Sequence, residues 1–571
     1  MSAQWSILAA SLLLLGPGAL LGSSLLPRGT LAERVAIGAA FGLAASITIG
    51  YGLAALDRLD AFAYVYVAMV AGAAVSVVAL RRTPDRPRDR CDPGEAVALS
   101  FGISAAVVFF LVPTLATQAP IGWDPAFHSI LAEKVRLANG LVSDWEPFEH
   151  TALNYPLGSH LWIALIANVT GEPVHHVFQV QHAVVQVLSS LLLYSVARRM
   201  LSSFRPALFA MLCYALVGEF GTFQSYYQWG GLPTEMGFAA FLALVWTALF
   251  LRERAWIPLG ILFYGSTVMI HHLSALIVTV VLVGYVGLSF VARADAEIRR
   301  RIIWIGLGAA LAYAPVIVPF ALGAQDLSGT DVLQLREEPR TSLFALADNL
   351  GFAVVALGAF GLWSVRREDS ASINFLFAWT AVLFAAYAGL DYGYRAYAQW
   401  AWGRDITAFT PSRFATVLSY PLCIAAGSTL ERLRVLLARR LPERVTVAAV
   451  VLAMAAFAAP RATALAERRA FDAQAEQAGA FVRGATPPDA FVVYRQRIAP
   501  GSWVPYLTWR AGFYTPLPAS EDRRSAHQRR AKLRLAAKQP GGLRRILASE
   551  GKTPWAYSRD ENGRPHVEPI P

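Results

Sequence analysis

Long apolar runs separated by short polar stretches make up most of this chain. Runs of about 17–25 residues, the length a helix needs to cross a bilayer, fall near 5–26, 33–55, 61–80, 94–115, 174–197, 204–222, 234–251, 255–271, 274–292, 302–322, 345–364, 372–390, 411–430 and 445–460. Segment 152–170 breaks the pattern. It is amphipathic and opens with Pro156 and Gly158, so it reads as a re-entrant or interfacial helix; counted as a full span, it would invert every later loop. The stretch Pro125 to Leu141 sets Phe127, Ile130, Leu131, Val135 and Leu137 among polar residues, the pattern of a helix lying along the interface. From about residue 461 the chain turns polar and Arg-rich, with Trp503, Trp509 and Trp555 spaced through it. There Phe491-Val492-Val493-Tyr494 reads as a strand and Ala519 to Arg545 as a basic helix. The expected fold is an all-α polytopic membrane protein of about fourteen transmembrane helices with a small extracytoplasmic α+β C-terminal domain. Its expected divisions are N-terminal helices over 1–93, a core over 94–460 and the C-terminal domain over 461–571.

Composition agrees. Of 571 residues, 56% are hydrophobic and 16% charged, with mean hydropathy +0.44, which excludes an ordinary soluble protein, where about 25% are charged. The net charge of +11 invites a nucleic-acid partner, but the cations fall between apolar runs, where membrane orientation accounts for them. Clustered arginines mark one set of loops: Arg81-Arg82-Thr83-Pro84-Asp85-Arg86, Arg198-Arg199, Arg252-Glu253-Arg254, Arg299-Arg300-Arg301, Arg366-Arg367 and Glu431 to Arg444. The positive-inside bias puts this set in the cytoplasm. The N-terminus, the loops near 56–60, 116–173, 223–233, 323–343 and 391–410, and the tail then face outward. The three cysteines, Cys91, Cys213 and Cys423, lie in or beside spans without metal-type spacing, so no disulfide framework is expected. The first run lacks a basic n-region and leads straight into a second, which predicts an anchored helix and not a cleaved signal. Asn168-Val169-Thr170 is a chance sequon. Arginine supplies 46 of the 50 cationic residues, a usage that points to a GC-rich bacterial genome.

Candidate chemistry gathers in the outward loops. Trp123-Asp124-Pro125 follows the fourth run closely, so Asp124 lies near the membrane surface, and Asn154-Tyr155-Pro156-Leu157-Gly158 comes about thirty residues later. A juxtamembrane carboxylate is often merely solvated, but one followed by a helix that dips toward lipid suits chemistry on a lipid-borne substrate. Loop 223–233 carries Tyr226, Tyr227 and Trp229 beside Gly230-Gly231, flanked by Glu219 and Glu235. Carboxylates at a membrane edge are functional candidates by default; the structural alternative is an aromatic belt with Glu235 in a helix first turn. His271-His272 sits in the turn between two tightly coupled spans, where it could hold an anion or a metal or simply cap the hairpin. Loop 391–410 brings Asp391, Arg395, Arg404 and Asp405, and Arg413 opens the next span. Arginines at an outward edge oppose the topological bias, and a phosphate ligand is a reason for that; contact with lipid headgroups is the alternative.

An acid after a transmembrane helix, a Pro-Leu element heading a juxtamembrane helix, and an outward loop with a second acid two spans later together resemble the GT-C class of membrane glycosyltransferases. That class includes protein O-mannosyltransferases, the lipid A aminoarabinose transferase, arabinofuranosyltransferases and oligosaccharyltransferase catalytic subunits. Trp123-Asp124 matches the first acidic motif, Asn154 to Gly158 the Pro-Leu element, and loop 219–235 the place of the second acid. The resemblance spans roughly residues 94–300 and beyond that is one of layout. Three spans precede the expected core, and the second acidic motif is neither Asp-x-Asp nor Glu-x-Asp, so no metal ligands are assigned and a divalent cation is left open. The resemblance implies transfer of a sugar from a polyprenyl-phosphate-linked donor to a glycan, lipid or protein acceptor outside a cell membrane, with inversion and an Asp base. Asp124 would be that base, with Glu219 and Glu235 as further catalytic candidates. Arg404, Arg413, His271 and His272 would hold phosphate, and Tyr155, Tyr226, Tyr227 and Trp229 would line the substrate site. The rival class is a lipid-linked sugar flippase or transporter without transfer chemistry. It would need polar residues at mid-membrane and internal repeat symmetry; the spans carry few charges, and no repeat stands out.

Overall fold

The computed structural model describes residues 2–26, 29–81, 93–116, 124–148, 153, 155–219, 223–252, 255–319, 335–336, 342–368, 370–403, 405, 407–408, 411–466, 473–494, 503–512, 532–533, 536, 542–548, 552–559 and 564–570. Helices α1 (Ser2–Leu25), α2 (Leu31–Ala54) and α3 (Phe62–Arg81) lead into α4 (Pro93–Ala116). Gly18 and Gly22 of α1 face Gly38 and Gly42 of α2, and a Cβ on Gly18 would collide with the Gly38 carbonyl. Without a hydrophobic drive between helices in lipid, such small-residue pairs let backbones meet and pack.

Two short helices follow, α5 (Asp124–Ala138) and α6 (Gly158–Thr170), then the long α7 (Val174–Met200). The membrane core continues through α8 (Phe204–Leu212) with a π-turn at Cys213–Val217, α9 (Phe223–Trp229), α10 (Leu232–Phe250), α11 (Trp256–Ile270), α12 (His272–Val291) and α13 (Ala296–Ala312). It closes with α14 (Leu343–Leu350), α15 (Phe352–Val365), α16 (Ala371–Ala388), α17 (Arg395–Trp402), α18 (Pro411–Val417), α19 (Ser419–Ala438) and α20 (Glu443–Ala466).

All fourteen expected apolar segments are helical where described, but among the described residues nine helices are long and apolar enough to span alone. Helices α14 and α15 would make a tenth if taken as one span, bent by 98° at Gly351. The other four segments form shorter, interrupted or more charged helices at 204–217, 256–270, 296–312 and 411–438. A 15-residue helix rises only about 22 Å, less than the roughly 30 Å of hydrocarbon. Segment 152–170 likewise yields only the 13 residues of α6, eight tenths of them buried against α1, α2, α5, α7 and α11. The stretch expected along the interface is α5, whose Phe127, Ile130, Leu131 and Val135 are buried in the core while Leu137 is exposed. The expected loop after residue 390 is instead helical, because a π-turn at Gly389–Tyr394 joins α16 to α17.

Helices α7 and α10 form the centre, 89% and 94% buried over their apolar windows. The far end of α7 is fastened by ions. Arg199 Nη2 donates to Glu33 Oε2 at 2.8 Å, Trp246 Nε1 to Glu33 Oε1 at 3.3 Å, Tyr194 to Glu95 at 2.6 Å and Arg198 to Glu95 at 3.3 Å. Glu33 also accepts the Thr30 backbone N–H at 2.7 Å in a capping box that starts α2. These bonds set the rotation of α7, and with it what its opposite end presents.

Strands β1 (Leu335–Arg336) and β2 (Thr407–Ala408) pair antiparallel between loops of the core. The C-terminal domain contains α21 (Ala473–Ala485), β3 (Ala490–Tyr494), α22 (Val504–Thr508), β4 (Ala511–Gly512), α23 (Gly542–Ala548), β5 (Thr553–Arg559) and β6 (Pro565–Pro569). The sheet order is β4-β3-β5-β6, with β3 parallel to both neighbours and β5 antiparallel to β6. The expected strand at 491–494 is β3. Most of the expected helix over 519–545 lies outside the described residues. The domain seats on the core through Lys552 Nζ, which donates to the Pro147 carbonyl at 2.9 Å, and through Trp509, edge-on to Phe148 at 5.1 Å.

Candidate active site

Helix α5 places Asp124 at its first residue, partly buried. The next residue fixes that start in space: Pro125 packs on Gly230, which has φ +83°, and a Cβ there would collide with the proline ring. The glycine therefore serves both its left-handed conformation and the close approach, and it brings the Asp124 end of α5 against the turn between α9 and α10. One helical turn on, His128 Nδ1 lies 3.0 Å from His160 Nε2 on α6.

Around this pair the structure collects further rings. Tyr155 stands 5.8 Å from His128, 5.6 Å from His160, 6.2 Å from His271 and 5.3 Å from His272, centroid to centroid. His271 accepts the Ser274 backbone N–H at 3.2 Å as the N-cap of α12. The capping reading is therefore correct, yet the same ring borders the cluster. Phe178 stacks on His128 at 5.9 Å and contacts His182 at 5.4 Å. Gln179 Nε2 donates to the Thr114 carbonyl at 2.9 Å and to the Tyr227 hydroxyl at 3.2 Å, tying α4, α7 and α9 together. Arg413 lies 4.1 Å above the ring of Trp229. Among the described residues, no carboxylate comes within 4.0 Å of its guanidinium.

Burial disfavours the charged form of three histidines around the cluster. It pushes His128 down to about 3. His160 is held well below its ordinary value by burial and then by the charge of His128. His271, in the turn between α11 and α12, is lowered by burial first and then by His272, Arg413, His128 and His160. Each neutral ring offers one donor and one acceptor, so these three rings make the pocket polar.

The flanking carboxylates have partners. Glu235 Oε2 is 3.0 Å from His182 Nδ1, both side chains fully buried, so the carboxyl sits inside the bundle beneath the cluster. Glu219 is ion-paired to Arg461 of α20 and stands beside Gly351. Tyr226 and Tyr227 are fully buried, while Trp229 is partly exposed under Arg413. Arg395 is taken up by Asp391 at 2.9 Å, with Asp405 at 3.5 Å. Arg404, Trp123 and Asn154 lie outside the described residues. His128, His160, Gln179 and His182 were missed by the sequence reading. Asp124 and His128 at i and i+4 on one helix face were the available signal; nothing local marks His182 as the partner of Glu235. Among the described residues, the one group of three metal-type side chains with ligand atoms within 4.8 Å of one another lies elsewhere, at His175, His176 and Glu476.

Solved structures share this architecture. ArnT from Cupriavidus metallidurans bound to undecaprenyl phosphate superimposes with TM-score 0.55 and 12% identity, covering 81% of this chain and 93% of that one. Its apo state gives 0.53, 12%, 81% and 93%. The Archaeoglobus fulgidus oligosaccharyltransferase, in complex with Zn and sulfate, gives 0.49 at 13% identity, covering 80% of this chain and 68% of that one. No family model and no curated protein sequence matches the chain. The likeness is one of fold: the chain shares with ArnT an all-α polytopic membrane architecture, here with a small α+β C-terminal domain.

Proposed function

We propose that the protein is a GT-C membrane glycosyltransferase that moves a sugar from a polyprenyl-phosphate-linked donor to an acceptor hydroxyl on the outward face, where the acceptor is a cell-envelope glycan, lipid or protein. Arg413 carries this reading: a cation poised on an aromatic face at the edge of a neutral histidine pocket, with no carboxylate partner among the described residues. A lipid-linked phosphate is an anion that would match it. The fold of ArnT, a protein solved with undecaprenyl phosphate, supports the same donor class.

In the transfer, the acceptor oxygen attacks the anomeric carbon and its proton passes to the Asp124 carboxylate. The bond from that carbon to the phosphate oxygen breaks, and polyprenyl phosphate leaves with the electron pair. One displacement inverts the configuration. A base at the reacting oxygen contributes about 10²–10⁴-fold, and a fixed guanidinium beside the departing phosphate favours the charge that develops there. His271, whose charged form burial and Arg413 disfavour, and its neighbour His272 would supply N–H donors to the same phosphate. Tyr155, at the centre of the ring cluster, would meet the sugar. The buried Glu235–His182 pair would shape the floor without touching the reacting atoms. These residues would act on the phosphate through Arg413 and the histidines, and a divalent cation stays open at the site. The clustered Arg198-Arg199 end of α7 lies some 24 residues, about 36 Å at 1.5 Å per residue, from His175. With those arginines on the cytoplasmic side, the site faces out.

The test is Asp124→Asn, which keeps size and hydrogen bonding but removes basicity. Turnover of the purified variant in a lipid-linked donor assay should fall by about 10²-fold or more with folding intact. Full activity would place the base elsewhere, and a flippase would show no transfer product in either form.

A further inference from the structure

A second set of titratable side chains stands where the C-terminal domain meets the core, at the near end of α7. His175 and His176 are in the first turn of α7, and Glu476 is in the first turn of α21. His175 Nε2 is 3.5 Å from Glu476 Oε1, the two imidazole rings are 4.3 Å apart, and one ligand atom from each of the three residues lies within 4.8 Å of the others. Two donors at about 2.0–2.2 Å from one zinc ion, at the tetrahedral angle, stand roughly 3.4 Å apart, which is the separation of the first pair.

The orientation of His175 is built in. Its Nδ1 is hydrogen-bonded to the Tyr506 hydroxyl at 2.9 Å, and the same hydroxyl accepts its backbone N–H at 3.4 Å. Holding one ring nitrogen on an oxygen and presenting the other is how proteins aim a metal-binding histidine. His176 Nδ1 looks toward Glu172 Oε2 at 4.0 Å, so a further carboxylate is close. The two arginines of the surrounding cleft, about 480 Å³ in volume, are engaged elsewhere. Arg136 makes two 2.7 Å bonds to Glu133, and Arg483 donates to the carbonyls of Tyr506 and Leu507 at 3.2 and 3.0 Å. Neither neutralises Glu476.

We propose that His175, His176 and Glu476 bind a divalent transition-metal ion, zinc by their nitrogen and oxygen ligand types, which fastens the C-terminal domain to α7. The remaining coordination position opens to the cleft. Because α7 carries Gln179 and His182 toward the candidate active site one and two turns further on, the ion fixes how the domain sits over that site. This site stands independently of the transfer reaction.

The probe is zinc alone, titrated into the chelator-treated full-length protein in detergent. The expected result is one equivalent bound, a higher thermal unfolding midpoint with zinc than without, and a tetrahedral absorption band on cobalt substitution. Glu476→Gln and His176→Ala should lower zinc affinity by about 100-fold or more, and Tyr506→Phe, which acts through the His175 ring, by about 10–100-fold. Glu476 is half-exposed, so its variant tests the site even if a His175 variant does not fold. Absence of stoichiometric binding, or equal affinity in wild type, Glu476→Gln and His176→Ala, overturns the proposal.

Discussion

Replacing Arg413 by Ala separates a phosphate-binding arginine from one that only decorates the membrane edge. Among the described residues its guanidinium lies over the ring of Trp229, at 4.1 Å, and a cation–π contact at a partly exposed site is worth about 0.5–1 kcal/mol, roughly 2- to 5-fold in an equilibrium constant. A hydrogen bond from a guanidinium to a partly desolvated phosphate is worth about 1.5–3 kcal/mol, roughly 10- to 150-fold. Arg413→Ala should therefore weaken binding of a polyprenyl-phosphate analogue by about 10- to 150-fold, with much less effect on the acceptor KM. Trp229→Ala, which removes only the platform, should weaken the analogue by about 2- to 5-fold. Arg413→Lys should fall between, because it keeps the charge but loses the planar fork that bonds phosphate bidentately. The assay is a titration of the analogue against each purified variant at fixed ionic strength. If wild type and Arg413→Ala bind the analogue equally, and only stability in detergent changes, Arg413 has no part in donor recognition.

Acid should destabilise the protein through its neutral histidines. His128 titrates near 3 when folded and near 6.5 when unfolded, so below pH 6.5 the unfolded chain takes up a proton that the folded one refuses, and unfolding free energy falls by about 1.4 kcal/mol per pH unit toward pH 3. Thermal unfolding followed from pH 7.5 to 5 should show a slope of at least this size, and His128→Gln should make it shallower by about that amount; an unchanged slope would refute the assignment. Gly230→Ala should cut turnover by about 10²-fold, since its new methyl must displace Pro125 and with it Asp124, and a shift of about 1 Å is enough for such a loss. An active Gly230→Ala enzyme would mean that the start of α5 does not position the base.

Much of this protein was legible along the chain because helix formation in lipid is a local matter. Every run of sufficient length and apolarity is helical where described, Pro156 and Gly158 marked α6 as a helix too short to span, and the run Phe491 to Tyr494 became β3. The bend at Gly351 and the short α8 and α11 were not readable, since a helix enclosed by other helices need not match the bilayer thickness that the run-length rule assumes. The site divides in the same way. Asp124, Tyr155, His271 and Arg413 stood out by type and position, and the fold draws Tyr155 and the histidine pair into one ring cluster, with Arg413 near enough to His271 to disfavour its charge. Which partner each acid meets was decided only in three dimensions: Glu235 closes on His182, 53 residues earlier, and Glu219 on Arg461, 242 residues later. A carboxylate's role depends on which cation or ring reaches it, and that choice follows from helix packing and rotation, which no window of sequence contains.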